Sequence, residues 1–485
     1  MKKQDVIKFL EEHRDEYIQA ATKIWGFAEL AFQEKRSAAC LMEILKKNGF
    51  QVKANVAGCE TAFVAVWGQG DPVIGYMGEY DALPDLSQKA DVTERIAREE
   101  STNGHGCGHH VLGTAAMAAA IANKQYLQTN GLPGTIKFYG CPAEEGGGGK
   151  VLMANAGLFD DCTAAISWHP TDDNGIWSIN FFSIQTVDIE FFGKNDDGLA
   201  ARQTGKSAGI GGNAREALEA FCFGLEFARK NLHPSVYFRS RITDTGDVDM
   251  IRIPRHTSMH LRVCGNTQAI MRDSMEKIYQ AAHGAALMTG CSVRASYDTG
   301  YSEMLPNHTL EKIMHDQFEL VGTVPMTEDD WAYAERMHQA LPEENEKETF
   351  KLMRFLYEEQ AEPIIEQVRG KPYNDVLYPF RKIHKHKPGG TDICDVSWIT
   401  PTTQCVTACY LKDTPGHSWQ EVSQGLGDIC MKGMLVAAKV MALTGVELCV
   451  NPEARGAVRN EFKTARAGKA YEPLLAHVRE DGVNT

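Results

Sequence analysis

Five short apolar runs, each ending in a polar or glycine-rich break, most constrain how this chain can fold. They are Thr61–Trp67, Pro72–Met77, Thr135–Tyr139, Ala164–Trp168 and, far downstream, Gln404–Leu411. Between the second and third lies Val111–Leu127, rich in alanine, free of proline and with Gly113 as its one glycine. That segment is too long for a strand and reads as a buried helix. Strands alternating with helices predict a mostly parallel sheet covered by helices. Such sheets place their ligand sites beyond the carboxyl ends of the strands. Asp81, the pair Glu144 and Glu145, and His169 all fall at those ends.

From about Phe182 the texture changes. Gln185, Val187, Ile189 and Phe191 alternate with polar neighbours, as in a half-exposed antiparallel strand. Asn213–Leu232 and Asn266–Met288 read as helices, the second with Asn266 as its cap and Gly290 as its stop. Met259–Val263 and Cys291–Tyr297 read as strands. Residues 184–300 therefore form an α+β unit inserted into an α/β domain made of 1–183 and 301–485. Gly427–Leu443 returns as a core helix, and Glu343–Lys387 reads as charged and irregular. At 485 residues the chain exceeds what one core serves.

The formal net charge is −14. An acidic chain repels phosphate backbones and anionic lipid surfaces, so neither nucleic acid nor membrane is expected as a partner. Met1–Trp25 has helical periodicity among many charges and no unbroken apolar core, unlike a signal peptide. Met431–Gly445 is interrupted by Lys432 and Lys439 and is shorter than the roughly 20 residues a membrane span needs. Thirteen cysteines, an odd number without a framework, fit free thiols in a reducing cytoplasm.

Chemistry concentrates in a few strings. Asn103-Gly-His-Gly-Cys-Gly-His-His110 puts three histidines and a cysteine within six residues, separated by glycines. Cys107 and His109 can both point inward from such a loop, and thiolate and imidazole are ligands for Zn, or for Mn in a mixed site. The helix that follows aims its N-terminal dipole at the loop and favours the thiolate. The plainer alternative is a structural turn with incidental histidines. In Cys141-Pro-Ala-Glu-Glu-Gly-Gly-Gly-Gly149, one of two neighbouring carboxylates can bind metal while the other acts as general base. A solvated acidic turn is the competing account. His169, in Trp-His-Pro, and His417, in Pro-Gly-His-Ser-Trp, would singly be edge residues. Asp81 would singly cap a turn, and beside a metal it can clamp a ligand imidazole from behind. Two cations need about five or six donors, and Cys107, His109, Glu145, His169 and His417 together supply five.

The strings GEYDALP, NGHGCGHHVLGTAA, FYGCPAEEGGGG, WHP, YLKDTPGHSWQ and MLVAAK resemble the two-metal amidohydrolases and carboxypeptidases, within them the branch of the aminobenzoyl-glutamate hydrolase B subunits. The resemblance covers most of 1–185 and 300–450. It implies a catalytic domain with an inserted lid, two helices on a four-stranded antiparallel sheet, that also forms a homodimer. It implies two divalent cations, Zn or Mn, bridged by Cys107 and completed by His109, Glu145, His169 and His417. Glu144 is then the proton shuttle between water and leaving nitrogen, and Asp81 steadies a ligand histidine. The expected activity is hydrolysis of a C–N bond in a small N-acyl amino acid or an aminobenzoyl-glutamate-like molecule, with a related second subunit as a possible partner.

The inserted unit departs from the family. Relatives carry Gly-x-x-Ala-His-Ala where this chain has Gly193-Lys-Asn-Asp-Asp-Gly198, with Asp197 near the histidine's place. Asp249-Met-Ile-Arg-Ile-Pro254 lacks the family's asparagine, and His110 stands where Asn or Asp is usual. An ionised aspartate opposes negative charge developing on a carbonyl oxygen. Either Arg255, His256 or His260 takes over the contact, or the substrate differs, or family substrates turn over weakly. Two other functions remain open at this point: displacement of ammonia from a small aromatic or other non-peptide substrate, and a non-catalytic metal-binding partner subunit.

Overall fold

The apolar runs pair into one seven-stranded sheet of the first of two units. Its order from edge to edge is Gln51–Ala54, Phe63–Gln69, Gly134–Cys141, Val73–Glu79, Ala164–Thr171, Thr402–Ala408 and Gly175–Ile176. The four inner strands from Gly134–Cys141 to Thr402–Ala408 run parallel. The edges, including Phe63–Gln69, are antiparallel. The computed structural model describes residues 1–177, 179–193, 212–246, 254–342, 345–387 and 389–481.

Two of the helices that cover the sheet leave no polar face over most of their length. Every residue from His109 to Asn123 in the helix His109–Asn130 is buried. It packs against Asp428–Val450, a second helix buried nearly all round. By length and composition that second helix is apolar enough to cross a membrane, yet 78% of its most apolar stretch lies inside the fold. Its two lysines are paired, Lys432 with Asp330 and Lys439 with Glu11. The second pair ties the N-terminal helix Lys3–Glu12 to this core helix.

The segment expected to be irregular is helical over Asn345–Tyr357 and Ala361–Val368. Phe350, Met353, Leu356 and Tyr357 supply the buried stripe. High charge on the opposite face masked that period. His315 is buried and bonds the Tyr378 carbonyl at 3.0 Å.

The second unit comprises Phe181–Met304, His386–Asp395 and the residues from Glu472 onward. Its antiparallel sheet has five strands, in the order His477–Asp481, Ser292–Tyr297, Ser183–Phe192, His256–Gly265 and Tyr237–Asp244. Four were expected. The fifth is the chain's C-terminal segment, whose five residues carry charge at three positions and no apolar alternation. Helices Ala214–Arg229 and Gln268–Thr289 pack on this sheet. Thr267, one residue beyond the expected Asn266, caps the second helix by accepting from the Ile270 N–H, and Gly290 ends it in the left-handed conformation.

Gly445 shows how closely the first unit's core is filled. A Cβ there would lie 1.9 Å from Tyr76 Oη and 2.3 Å from Asn123 Nδ2, which bond each other at 2.8 Å. Gly445→Val is expected to destabilise by on the order of 3 kcal/mol, through overpacking and the broken buried hydrogen bond. Thermal melts followed by circular dichroism check this.

Candidate metal centre

The four parallel strands end on one side, and each delivers side chains to one place. Val73–Glu79 leads to Asp81, Gly134–Cys141 to Glu144 and Glu145, Ala164–Thr171 carries His169, and Thr402–Ala408 leads to His417. The helix His109–Asn130 starts there, so His109 is its first residue and Cys107 lies in the turn before it. Gly108 between them has φ +67°, and a Cβ would meet Tyr410 Oη at 2.2 Å and Pro170 Cγ at 2.5 Å. Only glycine fits between these two donors.

Three sets of donor atoms converge, each mutually within 4.8 Å: Cys107, His109 and His169; Cys107, Glu145 and His417; and Glu79, His109 and Glu144. Cys107 is common to the first two. Its Sγ lies 3.3 Å from His169 Nε2, and His417 Nε2 lies 3.4 Å from Glu145 Oε1. Ligand atoms sharing one tetrahedral ion at ordinary Zn–S, Zn–N and Zn–O lengths stand about 3.3–3.6 Å apart. Glu79 Oε2, His109 Nε2 and Glu145 Oε1 are buried and make no hydrogen bond among the described residues. Buried polar atoms gathered like this are costly unless protons or a cation sit among them. The residues present thus fit a divalent metal pair.

The surrounding bonds fix which nitrogen of each histidine faces the cluster. His109 Nδ1 donates to Asp81 Oδ1 at 2.8 Å, turning Nε2 inward. His169 Nδ1 donates to the Pro170 carbonyl at 2.8 Å, again freeing Nε2. Burial and the neighbouring His109 push the His169 pKa down to about 4, so it stays neutral with an available lone pair. Burial opposes charge on His109, but Asp81, Glu79 and Glu145 outweigh it and hold its pKa well above the usual value. Burial, with Glu145, Glu421 and Glu144, pushes the Cys107 thiol well up. A helix N-terminus offers only about half a charge against that burial, and a bound cation is what would favour the thiolate.

The loops carrying the donors are braced from outside. Asp81 Oδ2 accepts the Glu145 N–H at 3.0 Å, so one carboxylate holds both His109 and Glu145. Ala143, with φ +57°, is pinned through both of its backbone groups. Glu34 Oε1 accepts its N–H at 2.9 Å, and its carbonyl accepts from Gly147 and Gly148. His417 also has a positive φ, +54°. Its N–H donates to Gly106 O at 2.8 Å and to Glu421 Oε2 at 3.0 Å.

Glu79, Lys150, Glu34 and Glu421 were not singled out in the sequence. Glu79 precedes Asp81 by two residues at a strand end, which was a usable signal. Glu34 and Glu421 lie on local segments without any motif. His105 and His110 bond backbone carbonyls of Ile24 and Gly425, at 3.1 and 2.7 Å, and belong to the support of the loop. His256 and His260 belong to the second unit. There His256 bonds Asp244 at 2.8 Å and Glu190 at 3.1 Å, and His260 bonds Asp188 at 2.8 Å. Asp197 and residues 249–253 lie outside the described residues.

Together the fold and this cluster define a metal-dependent amide hydrolase. The chain belongs to peptidase family M20/M25/M40, whose model matches residues 75–376. It is 34% identical to the B subunit of p-aminobenzoyl-glutamate hydrolase from Escherichia coli (strain K12), over 92% of this chain and 92% of that protein. It is 25% identical to the Xaa-Arg dipeptidase of Mus musculus over 63% of this chain and 68% of that one. Its fold matches the crystal structure of the aminobenzoyl-glutamate utilization protein from Klebsiella pneumoniae with a TM-score of 0.60, at 16% identity, covering 92% and 99% of the two chains.

Burial first, and then the nearby Asp81 charge, raise the Glu34 pKa to about 7. A carboxyl raised in the folded state binds more protons folded than unfolded between its ordinary value near 4.5 and about 7. Its contribution to stability is therefore neutral below that window and falls as pH rises through it. Glu34→Gln removes the falling limb. With chelator present, denaturant melts at pH 5 and pH 8 are expected to show Glu34→Gln gaining on the native protein by on the order of 2–3 kcal/mol at the higher pH.

Proposed function

We propose that this protein hydrolyses the amide C–N bond of a small N-acyl amino acid, of the p-aminobenzoyl-glutamate type, at the cluster of Cys107, His109, Glu145, His169 and His417. The observation that carries the reading is the convergence of these five donors, from four chain segments, around a shared cysteine. Two divalent ions bound there, Zn or Mn, would polarise the scissile carbonyl and acidify the attacking water. The first unit is taken as the catalytic domain and the second as the lid and dimerisation domain.

The chain's own groups have separable tasks. Cys107 sits centrally, in reach of both His169 and the Glu145–His417 pair. Asp81 fixes the orientation of His109 from behind and acts as a positioning residue. Glu144 lies beside the cluster with Oε2 4.0 Å from His109 Nε2. It is the carboxylate left to take a proton from water and deliver it to the leaving nitrogen. His417 is the most exposed donor, with 56% of its side chain accessible, and marks the face from which substrate approaches. His256, His260 and Asp197 are kept as candidates for substrate contact within the second unit. The Escherichia coli relative is one of the differently lettered subunits of its hydrolase, which supports a related second subunit as a partner. The thirteen free cysteines support a reducing, cytoplasmic setting.

Glu144→Ala is expected to lower kcat on p-aminobenzoyl-glutamate, or on whichever N-acyl amino acid of a panel is cleaved, by about 10²–10⁴-fold. Metal content, measured by mass spectrometry, should be unchanged. Cleavage that survives exhaustive chelation, or a variant as active as the native protein, would remove this reading.

A further inference from the structure

We propose that Glu79 is an additional metal ligand, on the His109 side of the cluster, and that the buried Lys150 is the group that holds it there. The inference rests on the metal-site reading above and adds to it a sixth protein donor and a charge partner.

Glu79 is the last residue of its strand and is buried. Its two oxygens have different tasks. Oε1 meets Lys150 Nζ at 2.6 Å, and the Lys150 side chain is wholly inaccessible to solvent. Oε2 stands 3.2 Å from His109 Nε2, and makes no hydrogen bond among the described residues. The His109 ring has already committed Nδ1–H to Asp81 at 2.8 Å. A metal-bound imidazole is neutral, so with an ion in place Nε2 turns a lone pair toward this carboxylate oxygen. A nitrogen and a carboxylate oxygen held this close need a proton or a cation between them, and a metal ion would take the proton's place. The separation is also the one expected of a nitrogen and an oxygen on a single tetrahedral ion, about 3.3 Å. Glu144 Oε2 lies within the same group at 4.0 Å from His109 Nε2. With Glu79 filling the ligand position on that side, Glu144 is left for proton transfer.

Lys150 explains why a buried carboxylate is tolerated here and why it points one way. A lone buried charge costs several kcal/mol, and a matched pair offsets most of that. The ammonium also cancels the added negative charge. A further carboxylate therefore does not weaken the pull of the cluster on a substrate carbonyl. The lysine follows the four glycines that carry Glu145 into the next helix, so its placement and that of Glu145 come from one turn.

The alternative is an ion pair that only stabilises the fold. Cobalt(II) titration of the chelated protein separates the two, because thiolate-to-cobalt absorption and stoichiometry are read without turnover. The double variant Glu79→Gln with Lys150→Met removes both charges together, so neither is left buried and unpaired. It is expected to fold, by circular dichroism and gel filtration, and to lose at least about 10-fold in affinity for one of two cobalt equivalents. Lys150→Met alone, which keeps the carboxylate, should still bind two. Two equivalents at native affinity in the double variant would overturn the role of Glu79. Equal losses in the double and the lysine variants would do the same. Fewer than two equivalents in the native protein would instead count against the metal-site reading itself.

Discussion

The Asp81 carboxylate is the constraint on which the rest of the site depends. One of its oxygens receives His109 Nδ1–H at 2.8 Å and the other receives the Glu145 N–H at 3.0 Å. These partners come from the start of a helix and from a glycine-rich turn 36 residues later in the chain. A short acid at the end of the central strand thus sets the distance between two donor segments. It must be ionised to do so, although it is fully buried. Burial raises its pKa, but His109 and the Glu145 N–H more than compensate and bring it below the usual carboxylate range. Desolvation is met by two directed bonds, the condition under which a buried charge becomes an organising element.

Around it, buried acids divide by environment. Glu79, opposite Lys150, is held below its ordinary pKa despite burial. Glu34 and Glu421, without such a lysine among the described residues, are raised by burial. The first group faces the cluster as anions. The second accepts the backbone N–H groups of Ala143 and His417. Both of those residues have left-handed backbones, a conformation that persists only where surrounding bonds enforce it.

Much of this was legible in the sequence, for a physical reason. Parallel strands buried on both faces must be continuous apolar runs, so Val73–Glu79 and Ala164–Thr171 announced themselves, and so did the all-buried helix after Cys107. The convergence of Cys107, His109, Glu145, His169 and His417 was legible because they fall at those strand ends and their loops. What stayed hidden is instructive. The antiparallel pairing of Phe63–Gln69 depends on its neighbour, not on its own composition. The strand His477–Asp481 has no alternation to read, since it pairs at an edge with half its side chains in solvent. The helices of 345–368 carry a correct apolar stripe obscured by charge. Glu34 and Glu421 act on backbone amides through relations that no local pattern encodes.

The strand Thr402–Ala408 has a consequence for how the molecule is made. It lies inside the sheet, between Ala164–Thr171 and Gly175–Ile176, segments made some 230 residues earlier. Until it arrives, Ala164–Thr171 presents an unsatisfied ladder of amides and carbonyls, and His417 is not yet in place. Closure of so long a loop is slow, because its entropy is lost before the new contacts reward it. A nascent or truncated chain ending before residue 402 would therefore expose an apolar edge ready to pair with another copy. Filling of this inner place in the sheet and delivery of His417 to the cluster therefore depend on the same late segment.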